Sequence, residues 1–341
     1  MKPENRLPGV GVVAIGRNEG ERLRLCLESA RKQSAHVVYV DSGSTDGSVQ
    51  LARGLGVEVV ALDLSVPFTA ARARNEGLRR LRAWRPELEY VHFIDGDCEF
   101  FSGWIASALA PLLERTDLAV VCGRVRERYR QATIYNRLAD LEWNTPPGEV
   151  EACGGIALMR VSAFEQVGGF DAGIMAGEEL ELCQRLRARG HKVLRLDADM
   201  VLHDAAMTHM LQWWRRTVRT GYGIAESVSR PGPVQPAVMR HLRSAITWGL
   251  AFPALVLVGL VWSAQRASIL DALLVVGSAA AVLLAQTVRI ALKRNSPGEN
   301  MADALLYGAG CMAAKAPQLV GVLRYLRQRV LRQRARLIEY K

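Results

Sequence analysis

Only six cysteines occur in the 341 residues, Cys26, Cys98, Cys122, Cys153, Cys183 and Cys311, and no two have the close spacing of a zinc or redox motif. That excludes a disulfide framework and leaves reduced core thiols of a cytosolic compartment as the expectation. Before Arg240 there is no basic excess, because 30 Lys and Arg meet 30 Asp and Glu; from Arg240 onward 14 basic residues face 4 acidic ones. A nucleic-acid enzyme carries basic charge around its groove, so this segregation argues against nucleic acid and for a membrane surface. Met1 to Pro8 is polar and the short apolar stretch behind it is broken at Arg17, so no cleavable signal peptide is expected.

What is present begins with short apolar runs rich in β-branched residues: Val10 to Ile15, Val37 to Val40, Val57 to Leu62, Tyr90 to Ile94 and Leu118 to Cys122. Stretches of helical periodicity separate them, among them one around Arg22 to Ala30 and another over Ala71 to Leu81. The alternation predicts an α/β fold with a mostly parallel sheet and helices on both faces. In such sheets ligands bind beyond the carboxyl ends of the strands, where Asn18, Asp41 and Asp95 fall. The region from Cys153 to His203 holds two Gly pairs, a helix from Glu178 to Arg189 and a strand from Lys192 to Leu196, and extends the same domain.

Asp95, Gly96 and Asp97 follow the fourth of those runs, which sets two carboxylates at a strand end. A hard cation such as Mg²⁺ or Mn²⁺ is commonly shared between one or two carboxylates and a substrate's phosphates. An Asp-Gly turn without a metal is the alternative.

Further along, Ala245 to Trp262 is free of charge over 18 residues, and Ile269 to Val288 holds 20 with Asp271 alone. Both approach the length that crosses a bilayer core. Arg240 and Arg243 precede the pair and Arg289, Lys293 and Arg294 follow it, so the positive-inside rule places both ends on the cytoplasmic face. Ala304 to Leu323 contains Lys315 and Pro317 and runs into six arginines between Arg324 and Arg336. Its expected form is re-entrant or interfacial, with Leu319, Leu323, Leu326 and Val330 on one face. The expected division is an α/β domain over 1–230 (halves at 9–130 and 131–230), a linker at 231–244 around Pro231, Gly232 and Pro233, a transmembrane hairpin at 245–288, and an interfacial helix with a basic tail at 289–341.

Together the motifs over roughly Gly11 to Gly223 resemble family 2 glycosyltransferases of the GT-A, Rossmann-like fold. Carrying the resemblance are Asn18-Glu19 after the first strand, Asp41-Ser-Gly-Ser-Thr-Asp46-Gly after the second, Ala73-Arg74-Asn75-Glu76-Gly77-Leu78 on a helix, and Asp95-Gly-Asp97. It implies transfer of a sugar from a nucleoside diphosphate sugar, with a lean to uridine, onto a hydroxyl with inversion. Asn18, Glu19, Asp41, Arg74, Asn75, Asp95, Gly154 and Gly155 would then hold the donor, Arg74 through a phosphate, and Arg160 would follow the glycine loop. Asp46 would close the turn or cap the next helix. Asp97 would be the direct metal ligand, with Asp95 contacting ribose or metal, and His203, six residues past a strand ending at Asp197, would complete the site. Glu178 and Glu179 occupy the position of the family's Glu-Asp pair, which implies Glu179 as the general base and Glu178 as an orienting group. Glu179 is one methylene longer than the usual Asp, so Glu178 stays open as the base, and helix-dipole complementation is the alternative for both. Gln212, Trp213, Trp214 and Arg215 resemble an acceptor-side element of processive synthases, although Trp is missing after Arg215; an interface-anchoring helix accounts for them equally.

The expectation is a metal-dependent transferase at the cell inner membrane, its catalytic domain cytoplasmic and its acceptor a lipid or lipid-linked glycan. Two other readings exist, a sugar-phosphate nucleotidyltransferase and a non-catalytic membrane scaffold. Gly16 to Gly20 is a poor version of the basic Gly-rich loop the former needs, and intact Asp95, Asp97, Glu179 and His203 speak against the latter.

Overall fold

A computed structural model describes residues 9–230, 234–294 and 299–332. Their contacts divide the chain into two units, one of 1–132 with 143–206 and the other of 133–142 with 207–341.

The first unit is built on a nine-stranded mixed sheet. Strands β1 (Val10–Gly16), β2 (His36–Asp41), β3 (Glu58–Ala61) and β4 (Tyr90–Asp95) run parallel, with β1 between β2 and β4. Val10, Val12, Val13 and Ala14 of β1 and Val38, Tyr39 and Val40 of β2 are all inaccessible, as expected where helices cover both faces. The covering helices include α1 (Glu21–Gln33), α2 (Ser48–Gly54) and α3 (Ala70–Trp84). Thr69 caps α3 by accepting the Arg72 N–H at 3.0 Å. At Gly77 the helix comes so close to the sheet that a Cβ would run into Val13 and Val40. This approach sets the depth of Arg74, one turn earlier.

Beyond β4 the parallel pattern breaks. After β5 (Cys98–Phe100), α4 (Trp104–Glu114) and β6 (Leu118–Glu127) come α5 (Ile134–Trp143), the short β7 (Gly148–Glu149) and β8 (Ala157–Arg160). Strand β8 lies antiparallel between β4 and β6. The sheet is thus mixed, parallel over β1 to β4 and antiparallel at β8. Next, α6 (Val161–Gln166) and α7 (Glu178–Ala188) lead to β9 (Lys192–His203), which continues past the expected end at Leu196 and pairs with β6, β5 and β7.

The second unit is helical: α5 apart from its last residue, α8 (Met210–Ser229), α9 (Pro236–Ile246), a π-helical turn at Thr247–Ala251, α10 (Phe252–Gln265), α11 (Ile269–Lys293), α12 (Met301–Ala313) and α13 (Lys315–Val330). Residues 133–142 and 207–230, expected in the catalytic domain, therefore group with the C-terminal helices. Pro231, Gly232 and Pro233 lie outside the described residues, and the rest of the stretch expected as a linker is helical from Pro236 onward. Pro236 to Gln265 and Ile269 to Lys293 are long and apolar enough to cross a membrane, and only 6% and 0% of their most apolar windows is buried. That exposure is the reverse of soluble core helices.

The third apolar segment is two helices, α12 and α13, meeting at Ala314, with Pro317 tolerated in the first turn of α13. On α13, Leu319 is buried while Leu323, Leu326 and Val330 are exposed. The helix lies along α8, where a Cβ at Gly321 would strike the Val218 carbonyl and one at Gly221 the Gln318 backbone. The expected basic tail lies outside the described residues beyond Arg332.

Candidate active site

Glu19, Asp41, Asp46, Asp95 and Asp97 of the first unit lie at or just beyond the carboxyl ends of β1, β2 and β4. Asn18 has a left-handed φ of 57°, accepts the Thr45 N–H at 2.7 Å on Oδ1, and donates its own N–H to Ser44 Oγ at 2.9 Å. It stitches the β1 and β2 loops together. Asp41 closes its loop: Oδ2 accepts the N–H groups of Gly43 and Ser44, both at 2.9 Å, and Oδ1 accepts the Tyr39 hydroxyl at 2.9 Å. Asp46 accepts the Ser48 N–H at 3.0 Å ahead of α2. Glu19 pairs with Arg22 at 2.8 Å.

Arg74 is the hub. Only 3% exposed, it gives Nη2 to Asp95 Oδ1 at 2.9 Å and Nη1 to Glu178 Oε1 at 2.5 Å. Burial works against its charge, but Asp95, Glu178 and Glu179 outweigh it and hold the guanidinium above its ordinary range. Both terminal nitrogens therefore face carboxylates, where a donor phosphate was expected. The pairings join the end of β4 to the first turn of α7, so the donor-side aspartate and the candidate bases share one arginine.

Gly155 makes room for it. With φ at +84°, a Cβ there would sit 3.0 Å from Arg74 Nη2. Gly155→Ala is accordingly expected to cost on the order of 1–2 kcal/mol from the left-handed backbone alone and to lower turnover by tilting the guanidinium; unchanged melting and turnover would refute this. Gly154 is left-handed too, at φ 75°, with open space around its would-be Cβ.

Asn75, expected on the donor, clamps protein backbone: Nδ2 donates to the Phe170 carbonyl at 2.7 Å and Oδ1 accepts the Phe170 N–H at 3.0 Å. Arg160 stands away from this strand end. It pairs in register with Tyr90, at the start of β4, and donates to Tyr90 Oη at 3.1 Å and the Leu112 carbonyl at 2.6 Å, so it serves packing.

Next to the Arg74 cluster is a candidate metal centre. Cys98 pairs with His203 across β5 and β9, which brings His203 Nε2 to 3.4 Å from Asp97 Oδ2. His203 is thus the last residue of β9 and not a loop residue past Asp197. The separation suits a cation that bonds each donor at about 2.1 Å, since neighbouring ligands of an octahedral ion lie roughly 3 Å apart. Cys98 Sγ lies 3.3 Å from Asp97 Oδ1, and burial pushes its thiol well up, so it donates a proton rather than competing as thiolate. Asp95 is not in this group; among the described residues the three mutually close metal-ligating side chains are Asp97, Cys98 and His203.

Glu178 and Glu179 open α7 behind Gly177, which takes a left-handed φ of 86°. Glu178 is buried by its pairing with Arg74, and Glu179 is half-buried. In the second unit, Gln212 closes a capping box with His209 and Trp213 packs 6.3 Å from Tyr135. Trp214 is half-buried and Arg215 exposed on the same helix. Sequence reasoning missed Glu127, wholly buried at the end of β6 and 3.7 Å from His203 Nδ1.

The model of the glycosyl transferase family 2 domain matches residues 12–168, and one described as the N-terminal domain of galactosyltransferase matches 139–210. The pre-mycofactocin glycosyltransferase of Mycobacterium tuberculosis is 28% identical over 247 residues, 67% of this chain and 50% of its own length. Succinoglycan biosynthesis protein ExoA of Rhizobium meliloti is 28% identical over 214 residues, 58% of this chain and 63% of its own. The chain thus spans about half the length of the first of these relatives. In fold, it is similar to the mannosyltransferase PcManGT from Pyrobaculum calidifontis, solved with GDP-Man and Mn²⁺, at a TM-score of 0.61 and 19% identity, over 95% of this chain and 88% of that one.

Proposed function

Starting from a chain that carries a family 2 glycosyltransferase domain in a GT-A fold, we propose that it transfers a sugar, with inversion, from a nucleoside diphosphate sugar to a hydroxyl of a lipid or lipid-linked glycan at the cytoplasmic face of a membrane. The observation that carries this is the double pairing of Arg74, which ties Asp95 at the end of β4 to Glu178 in the first turn of α7. Relatives named as glycosyltransferases and a fold neighbour solved with GDP-Man and Mn²⁺ support it.

Carboxylates outnumber cations around Arg74, where Asp95, Glu178 and Glu179 act on one guanidinium. A diphosphate would be repelled there without a counter-charge. Asp97 and His203 are the residues that would hold Mg²⁺ or Mn²⁺, and the ion, when bound, offsets charge on the departing diphosphate. Glu179 takes the proton of the acceptor hydroxyl as that oxygen bonds to the anomeric carbon on the face opposite the diphosphate; the sugar–phosphate bond breaks and the nucleoside diphosphate leaves with the electron pair. Glu178, fixed on Arg74, keeps the first turn of α7 in place. Asn18 and Asp41, by closing the β1 and β2 loops, shape the nucleotide's floor.

The two apolar helices support membrane association, with the basic residues flanking them on the cytoplasmic side. The test is a panel of UDP- and GDP-sugars with Mn²⁺ and membrane lipid extract, read by nucleoside diphosphate release and by sugar incorporated into the lipid phase. Release that depends on lipid and is abolished by EDTA is expected. Pyrophosphate release from a sugar phosphate and a nucleoside triphosphate, with no sugar transfer, would overturn the reading.

A further inference from the structure

We infer that Glu127 is a positioning residue that fixes the ring of His203 from behind, so that Nε2 is presented to a divalent cation shared with Asp97. The inference rests on the metal-binding role proposed above for Asp97 and His203.

The placement comes from an irregular strand pair. Strands β6 and β9 run parallel, but Cys122 pairs with Arg195 and Val125 with Val201, so three steps along one strand correspond to six along the other. The slip brings Glu127 opposite His203; continued at the Cys122 offset, Glu127 would face Met200. Bulges that re-aim a side chain are concentrated beside active sites.

The carboxylate is held rigidly. Its side chain is inaccessible, Oε1 accepts the Tyr129 N–H at 3.1 Å, and Oε2 accepts the Ala205 N–H at 3.0 Å. Oε2 also faces His203 Nδ1 at 3.7 Å, and Nδ1 has no hydrogen-bond partner among the described residues. Trp143 closes one side of the ring, edge to face at 4.6 Å between centroids. A carboxylate behind the imidazole favours the proton on Nδ1 and leaves the Nε2 lone pair pointing at Asp97. Such outer partners commonly carry a 10- to 100-fold effect on metal affinity.

Mn²⁺ titration by calorimetry of the full chain in detergent, on four proteins, tests this: native, Glu127→Gln, His203→Ala and the double variant. Glu127→Gln is expected to raise the Mn²⁺ Kd roughly 10- to 100-fold, with no further weakening when His203 is already alanine. Glu127→Asp, which keeps the charge, is expected to recover part of the loss, and it takes the place of Glu127→Gln in the same cycle should that variant not fold. Native affinity in the Glu127 variant, or an equal penalty with and without His203, would overturn the inference while leaving the metal site standing. Native affinity in His203→Ala would overturn both.

Discussion

Glu179→Gln is expected to abolish measurable sugar transfer, a loss on the order of 10²- to 10⁴-fold for a general base, while the donor still binds. The amide matches the carboxylate in size but accepts no proton from an attacking hydroxyl. The pairing of Glu178 with Arg74 favours Glu179 as the proposed base. Glu178 is buried on Arg74 at 2.5 Å and is committed to that pair. Glu179, half-buried in the same turn, is near enough for its charge to act on Arg74. The extra methylene of Glu179 relative to an aspartate would misplace the oxygen by about 1 Å, worth on the order of 10²-fold if uncorrected. Donor affinity and transfer rate, measured separately on Glu179→Gln and Glu178→Gln, check the assignment. Full transfer by Glu179→Gln together with loss in Glu178→Gln would move the base by one residue.

The parts of this site that were legible in the sequence are those fixed by local chain order. A run of apolar residues ending in Asp95-Gly-Asp97 declares a strand and its lip, and β1, β2 and β4 fall within a residue or so of the expected runs. Glutamates following Gly177 declare a helix start. Partnership was hidden wherever it depends on distant pairing. Nothing around Glu127, in the run Arg-Val-Arg-Glu-Arg, distinguishes it from a solvated charge until the slipped β6–β9 register carries it to His203. The same slip explains why β9 was expected to stop at Leu196: its bulged continuation loses a clean period of two. Arg74 and Asn75 were expected on the donor, whereas their observed partners, Glu178 at a separation of 104 residues and Phe170 at 95, are set by how α7 and its preceding loop return to the sheet. Arg160 follows Gly154 and Gly155 in sequence, and β8 carries it to the far end of β4.

Arg74→Met is expected to lower stability by roughly 3–5 kcal/mol, the usual consequence of removing one member of a buried ion pair, and to abolish activity with it. Methionine fills most of the volume, so the loss is electrostatic. Glu178, with 8% of its side chain exposed, would keep its charge with no guanidinium beside it, and Asp95 would lose the contact that orients it at the end of β4. The two consequences are separable. Adding Glu178→Gln removes the stranded charge, and replacing both partners of a buried pair by neutral groups is often close to neutral in stability. The double variant is therefore expected to regain much of the melting temperature lost by Arg74→Met and to remain inactive, because Asp95 is still unanchored and α7 no longer tied to β4. Thermal unfolding of native, single and double variants, alongside transfer rates, distinguishes this from a plain packing defect. A packing defect would leave the double variant no more stable than the single one. Restored activity in the double variant would show that Arg74 acts only on folding, and the coupling of donor wall to base wall through one guanidinium would be wrong.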